Sequence, residues 1–136
     1  MTSLLDTSVV VRYLTGDPPR LAAAAARILD GGGALAVTDV VVAETAYVLS
    51  TVYRIPRGAV VEGLVGLLQK RNVATLGLDK GAVIQALLLC RPSNRVSFAD
   101  AMIWAAARSS RAEAVYSFDD RFPELGVEVL RDVGGL

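Results

Sequence analysis

Four acids in this 136-residue sequence stand where a carboxylate must either cap something or bind something. Asp6 follows Ser3-Leu4-Leu5 directly, and Glu44 lies inside the apolar run from Val40 to Leu49. Asp100 sits in Ser97-Phe98-Ala99-Asp100-Ala101-Met102-Ile103-Trp104, and Asp119 closes Val115-Tyr116-Ser117-Phe118. Each has an ordinary reading. Asp6 caps a helix starting at Thr7 as well as it binds a ligand. Ser97 with Asp100 three residues later resembles a capping box, and Asp119-Asp120-Arg121 is ordinary turn chemistry. Glu44 has no cap to make, because Thr38 or Asp39 supplies it. It belongs either to an exposed polar stripe with Thr51 or to a buried pair or metal site, since an unpaired buried carboxylate is costly.

Taken together the four say more than they do singly. Two follow β-type runs and two lie in opening turns of helical runs, so a parallel sheet would bring all four to one edge. Like charges that close repel and raise one another's pKa unless a cation joins them. With oxygen ligands only, the cation expected is Mg²⁺ or Mn²⁺. Such an ion lowers the pKa of bound water and polarises a phosphoryl oxygen. The chain has no histidine, which removes the commonest general base, the usual zinc ligand and every Ser-His triad. Gly31-Gly32-Gly33 lacks the later Gly and Lys of a phosphate loop and reads as a helix stop.

These acids must be placed by an α/β framework. Short β-type runs at Ser3-Leu5, Leu35-Thr38, Val73-Leu76, Ala114-Ser117 and Val127-Leu130 alternate with helical stretches at 7–15, 18–30, 39–54, 57–71, 79–90 and 98–110. Asp17-Pro18-Pro19 starts a helix, Ile55-Pro56 separates two, and Arg91-Pro92-Ser93-Asn94 ends another. The length predicts one domain over 1–136, with no repeat and no linker. Hydrophobic residues make up 53% of the chain, which suggests apolar surface given to a partner or twin subunit. The one cysteine, Cys90, sits in an apolar run and predicts a buried, inert thiol in a reducing cytoplasm. No leader and no apolar run of spanning length is visible, so a soluble chain that is not exported is expected. Net charge is zero, so any nucleic-acid binding must be local. Arginine outnumbers lysine twelve to two, which suits phosphate and equally follows from a GC-rich genome.

In order along the chain, these pieces resemble the PIN-domain nucleases, and within them the small VapC-type toxins of toxin–antitoxin pairs. The resemblance rests on Leu5-Asp6-Thr7-Ser8 running on to Leu14, on Thr38 with Val42-Ala43-Glu44 and Tyr47-Val48-Leu49, on Ser97-Phe98-Ala99-Asp100-Ala101, and on Tyr116-Ser117-Phe118-Asp119-Asp120-Arg121-Phe122. It implies a PIN-like three-layer α/β/α sandwich with a mainly parallel five-stranded sheet. It makes Asp6, Glu44 and Asp100 the core metal-binding acids and Asp119 the fourth, with Asp120 the neighbouring alternative. Thr7 and Ser117 would support them. It implies RNA cleavage by metal-activated water, a homodimer, and a cognate antitoxin covering the active-site groove.

Ser8 departs from the Asn often found beside the first acid, and its hydroxyl still reaches a carboxylate. Arg12, Arg91 and Arg95 are candidate contacts to RNA phosphates or antitoxin, each with solvated arginine as the plain alternative. Tyr47, Tyr53, Leu64 and Leu68 read as partner contacts or core, and Trp104 reads as core. Two rivals compete with the nuclease reading. A receiver-type signalling domain wants an acidic pair after the first strand, a terminal Asp on the middle strand and a late Lys, and this chain has none of these. An inactive PIN-fold binding module is the other.

Overall fold

The protein, described here by a computed structural model, is defined over residues 1–112 and 114–133. Along the chain run β1 (Ser3–Leu4), α1 (Thr7–Thr15), α2 (Pro19–Leu29), β2 (Leu35–Val37), α3 (Asp39–Thr51) and α4 (Arg57–Leu68). They are followed by β3 (Val73–Thr75), α5 (Lys80–Cys90), α6 (Phe98–Ser110), β4 (Ala114–Tyr116) and β5 (Glu128–Leu130). Every expected element is present, α1 and α6 with the expected ends and the others shorter at one or both ends by up to three residues.

Local chemistry sets most of these limits. Asp6 caps α1 by accepting from the Ser8 N–H, and Gly16 closes that helix at φ +70° with its N–H on the Arg12 carbonyl. Pro18 and Pro19 open α2, where a missing N–H costs nothing. Gly31 ends it because a Cβ there would lie 2.7 Å from the Arg27 carbonyl oxygen. Thr38 caps α3, Asp79 caps α5 and Ser97 caps α6, each through its side-chain oxygen. α3 stops at Thr51, short of the expected 54, because Arg54 takes a left-handed conformation and Pro56 starts the next helix.

All strand pairs are parallel. β2 lies between β1 and β3, with Ser3 opposite Leu35 and Leu35 opposite Val73, while β4 pairs with β5. The single five-stranded sheet expected from the sequence is therefore divided into groups of three and two among the described residues. The reason lies in β1. It is two residues long, both exposed, and offers too little backbone for a second ladder beside the one it forms with β2.

The core lies among the helices and the buried faces of β2 and β3. Leu49, Leu64, Leu68, Leu87 and Trp104 are fully enclosed there, so Leu64 and Leu68 pack inside and not against a partner. α5 and α6 form an antiparallel pair. The Asp79 N–H at the start of α5 bonds the Ser109 hydroxyl near the end of α6, and Cys90 at the end of α5 meets the Ser97 carbonyl at the start of α6. Burial pushes the Cys90 thiol up to about 11, so it is inert at neutral pH, as the sequence suggested.

Candidate active site

Parallel pairing fixes the first half of the site. Leu4 stands opposite Ala36, so the continuing residues Asp6 and Thr38 leave adjacent strands at the same level, roughly 5 Å apart across the ladder. Asp6 is exposed. Its Oδ2 accepts from the Ser8 N–H at 3.1 Å and the Ser8 Oγ at 2.6 Å. The Ser8 hydroxyl, followed by the Ser8 N–H, holds the Asp6 carboxyl below its ordinary range. Ser8 thus does for Asp6 what an amide side chain would. Thr7 is buried at the first position of α1.

Thr38 starts α3 and so carries Glu44 to this edge. Glu44 is exposed, on one stripe with Val40, Tyr47 and Thr51 at helical spacing. Of its two sequence readings the exposed stripe is the one realised, and the cost of burial does not apply. The stripe is half apolar, however. Val40 and Ala43 of α3 face Ala99, Met102, Ile103 and Ala106 of α6 across an apolar groove, with Asp39 at its rim. Glu44 and Asp100 each follow in sequence a residue that lines this groove, Ala43 and Ala99.

Asp100 is in the opening turn of α6. Its N–H donates to the Ser97 Oγ at 3.0 Å, which is half of a capping box. Among the described residues its carboxylate accepts no hydrogen bond, so the cap leaves that group free. The loop ahead of it is held by a residue that sequence reasoning missed. Arg57 donates to the carbonyls of Cys90 and Val96 and lies 4.5 Å over the Phe98 ring. No local signal marks it, since those partners are 33 and 39 residues away.

Asp119 is gripped differently. Its N–H donates to the Ser117 Oγ at 3.1 Å. Its Oδ1 accepts from the Arg121 N–H at 2.8 Å and Nε at 3.1 Å, and its Oδ2 from Nη2 at 3.3 Å. Arg131 donates to the backbone carbonyls of Ser117 and Asp119. The Arg121 side chain, first among these partners, draws the Asp119 carboxyl below its ordinary range. Arg121 in turn is raised by the Asp119 hydrogen bonds and charge, and by the charges of Asp120 and Asp100. Asp120 is exposed and makes none of these contacts.

The donor types suit a hard divalent cation, being all oxygen. Their placement does not close round one. Among the described residues no three acidic, histidine or cysteine side chains are gathered closely enough to hold an ion. The arginines named from the sequence lie around this edge without entering it. Arg12 is half-buried and lines a separate apolar groove between α1 and α2 with Ser8, Leu21 and Ile28. Arg91 pairs with Glu62, and Arg95 is exposed in the loop before α6.

These features define an α/β domain of parallel strands, with acids just after β1 and β4 and in the early turns of α3 and α6. The PIN domain family model matches residues 3–128, and the chain belongs to that family, whose members are generally nucleases acting on phosphodiester bonds. The matched stretch holds all four acids, and it sets aside the receiver reading. No curated protein matches the chain.

Proposed function

We propose that this protein is a metal-dependent endoribonuclease of the VapC type, the toxin of a toxin–antitoxin pair, hydrolysing RNA phosphodiester bonds. The observation that carries the reading is the presence of Asp6 and Asp119 just after strands, and of Glu44 and Asp100 in the early turns of helices, in a PIN-family chain that has no histidine. A bound Mg²⁺ or Mn²⁺ would supply a water of lowered pKa and polarise the phosphoryl oxygen. The chain's own part is to keep carboxylates ionised and aimed. Ser8 does so for Asp6, Ser97 sets the turn that presents Asp100, and Ser117 orients the backbone of Asp119. Arg95, and Arg12 one turn after Ser8, are the arginines proposed to meet RNA phosphates.

The exposed apolar residues Val40, Tyr47 and Ile103 beside the acids support a protein partner there, either a second copy or the cognate antitoxin. A cytoplasmic setting is part of the proposal. No described helix is long and apolar enough to cross a membrane.

Labelled RNA incubated with the protein is expected to be cut when Mg²⁺ or Mn²⁺ is present and left intact with EDTA. Asp6→Asn and Asp100→Asn should each reduce cleavage to background while circular dichroism stays unchanged. Scission that survives both substitutions would reject the assignment, and RNA binding without scission would favour the inactive binding module.

A further inference from the structure

Exposure alternates along the chain from Val115 onward. Tyr116, Phe118 and Asp120 are exposed, while Val115, Ser117 and Asp119 are half-buried. Residues two apart on an extended segment put their side chains on one face, so Tyr116 and Phe118 share a side of the β4 end. Phe118 is 92% exposed and Tyr116 62%. The backbone beneath them is fixed. The Ser117 N–H donates to the Leu130 carbonyl, the Ser117 Oγ accepts from the Asp119 N–H, and Arg131 donates to the Ser117 and Asp119 carbonyls. A held segment thus presents an apolar ring to water, against the hydrophobic effect, and the next residue is Asp119.

The charge beside the rings indicates what covers them. Arg131 makes both of its bonds through Nη1, so among the described residues its Nε and Nη2 have no hydrogen-bond partner. Flat rings with a guanidinium beside them suit a nucleobase and its phosphate. The groove between α3 and α6 has the opposite character, with aliphatic Val40, Met102 and Ile103 and an acidic rim at Asp39, which suits apolar protein side chains and repels phosphate. We infer that Tyr116 and Phe118 form a stacking platform for unpaired RNA bases, with Arg131 on an adjoining phosphate, at the strand end that carries Asp119. This rests on the ribonuclease reading above and deepens it by naming where bases of the substrate lie. A base inside a duplex has both faces covered by its neighbours, so only an unpaired or splayed base can lie on Phe118.

The test is fluorescence anisotropy on the full chain with a dye-labelled single-stranded RNA of mixed sequence. EDTA is present, since neither the rings nor the guanidinium need a metal. Phe118→Ala and Phe118→Leu are each expected to weaken binding about tenfold, within the range for one base–aromatic stack, and Phe118→Trp to keep the parent affinity. Tyr116→Ala should weaken it by a smaller factor. Parent affinity in Phe118→Ala would overturn the inference, as would parent affinity in Phe118→Leu, which keeps apolar area without a ring face. If Phe118→Ala instead dissociated a dimer in sedimentation and left RNA affinity intact, the face would belong to a protein contact. Cleavage with Mg²⁺ is measured alongside. A parent that cuts RNA while Phe118→Ala binds it equally well loses only the platform; a parent that neither binds nor cuts RNA loses the ribonuclease reading itself.

Discussion

Asp6 and Asp119 both follow a strand, and both carboxyls are held below their ordinary range, yet they are held by opposite kinds of partner. Asp6 is gripped by a neutral hydroxyl and an N–H, which leave its full negative charge facing solvent. Asp119 is gripped by a guanidinium, which cancels that charge. Asp100 belongs to neither type, since its backbone is capped and, among the described residues, its carboxylate accepts no hydrogen bond. The molecule thus carries open acids beside β1 and at the start of α6 and a closed one beside β4. This division predicts which substitutions disturb the edge and which do not.

The largest effect away from the acids is expected at Arg57. It ties the loop before Asp100 to α4 through two carbonyls and the Phe98 ring. Arg57→Ala leaves those carbonyls without their charged donor and should cost about 2–4 kcal/mol. Urea unfolding should show a lowered midpoint with unchanged slope. Cleavage measured where the variant is still folded should also fall, because Asp100 loses its footing while Asp6 does not. Full activity with lowered stability would mean that the loop places Asp100 unaided.

How far this division could be read from the sequence differs by residue. Proline, glycine and capping side chains act within a turn of themselves, so Asp6, Pro19, Gly31, Thr38 and Ser97 marked the helix ends in advance. The acids were legible because a polar residue stands out in apolar company. Glu44 was legible as a candidate but not in its exposure, since α3 is apolar on nearly every side and its sequence does not tell which face packs. Arg57 was invisible because its partners are distant in the chain. Arg121 is two residues from Asp119, a spacing that permits the pair, but the same letters describe a plain turn. The break between β1 and β4 follows from strands of only two and three residues, which alternation alone does not reveal.

A smaller effect, of opposite sign, is expected one residue from Glu44. Thr45 is fully enclosed and, among the described residues, its hydroxyl has no hydrogen-bond partner, so it is desolvated without compensation. Thr45→Val keeps the shape and removes the orphan, and should stabilise the fold by about 1 kcal/mol. That is a rise of about 2–6 °C in melting temperature for a chain of this size. Cleavage should not change, because Glu44 and the exposed stripe are untouched. A lower melting temperature would mean that the hydroxyl has a partner, such as an ordered water.

The smallest effect probes the comparison itself. Ser8→Ala removes the hydroxyl that is the first cause of the lowered Asp6 pKa, and leaves the Ser8 N–H in place. A carboxyl titration by ¹³C NMR without added metal should then show Asp6 moving up toward the ordinary 3.8 while Asp119 stays where Arg121 holds it. The sign for stability follows from linkage. A carboxyl depressed in the folded state stabilises above its unfolded pKa, and that contribution is lost as pH falls through the folded value. Parent and Ser8→Ala should therefore differ at neutral pH and converge in strong acid. Arg121→Gln should give the mirror result, raising Asp119 and sparing Asp6. If either substitution moved both carboxyls together, the two ends of the edge would be one coupled cluster, and the division into open and closed acids would fail.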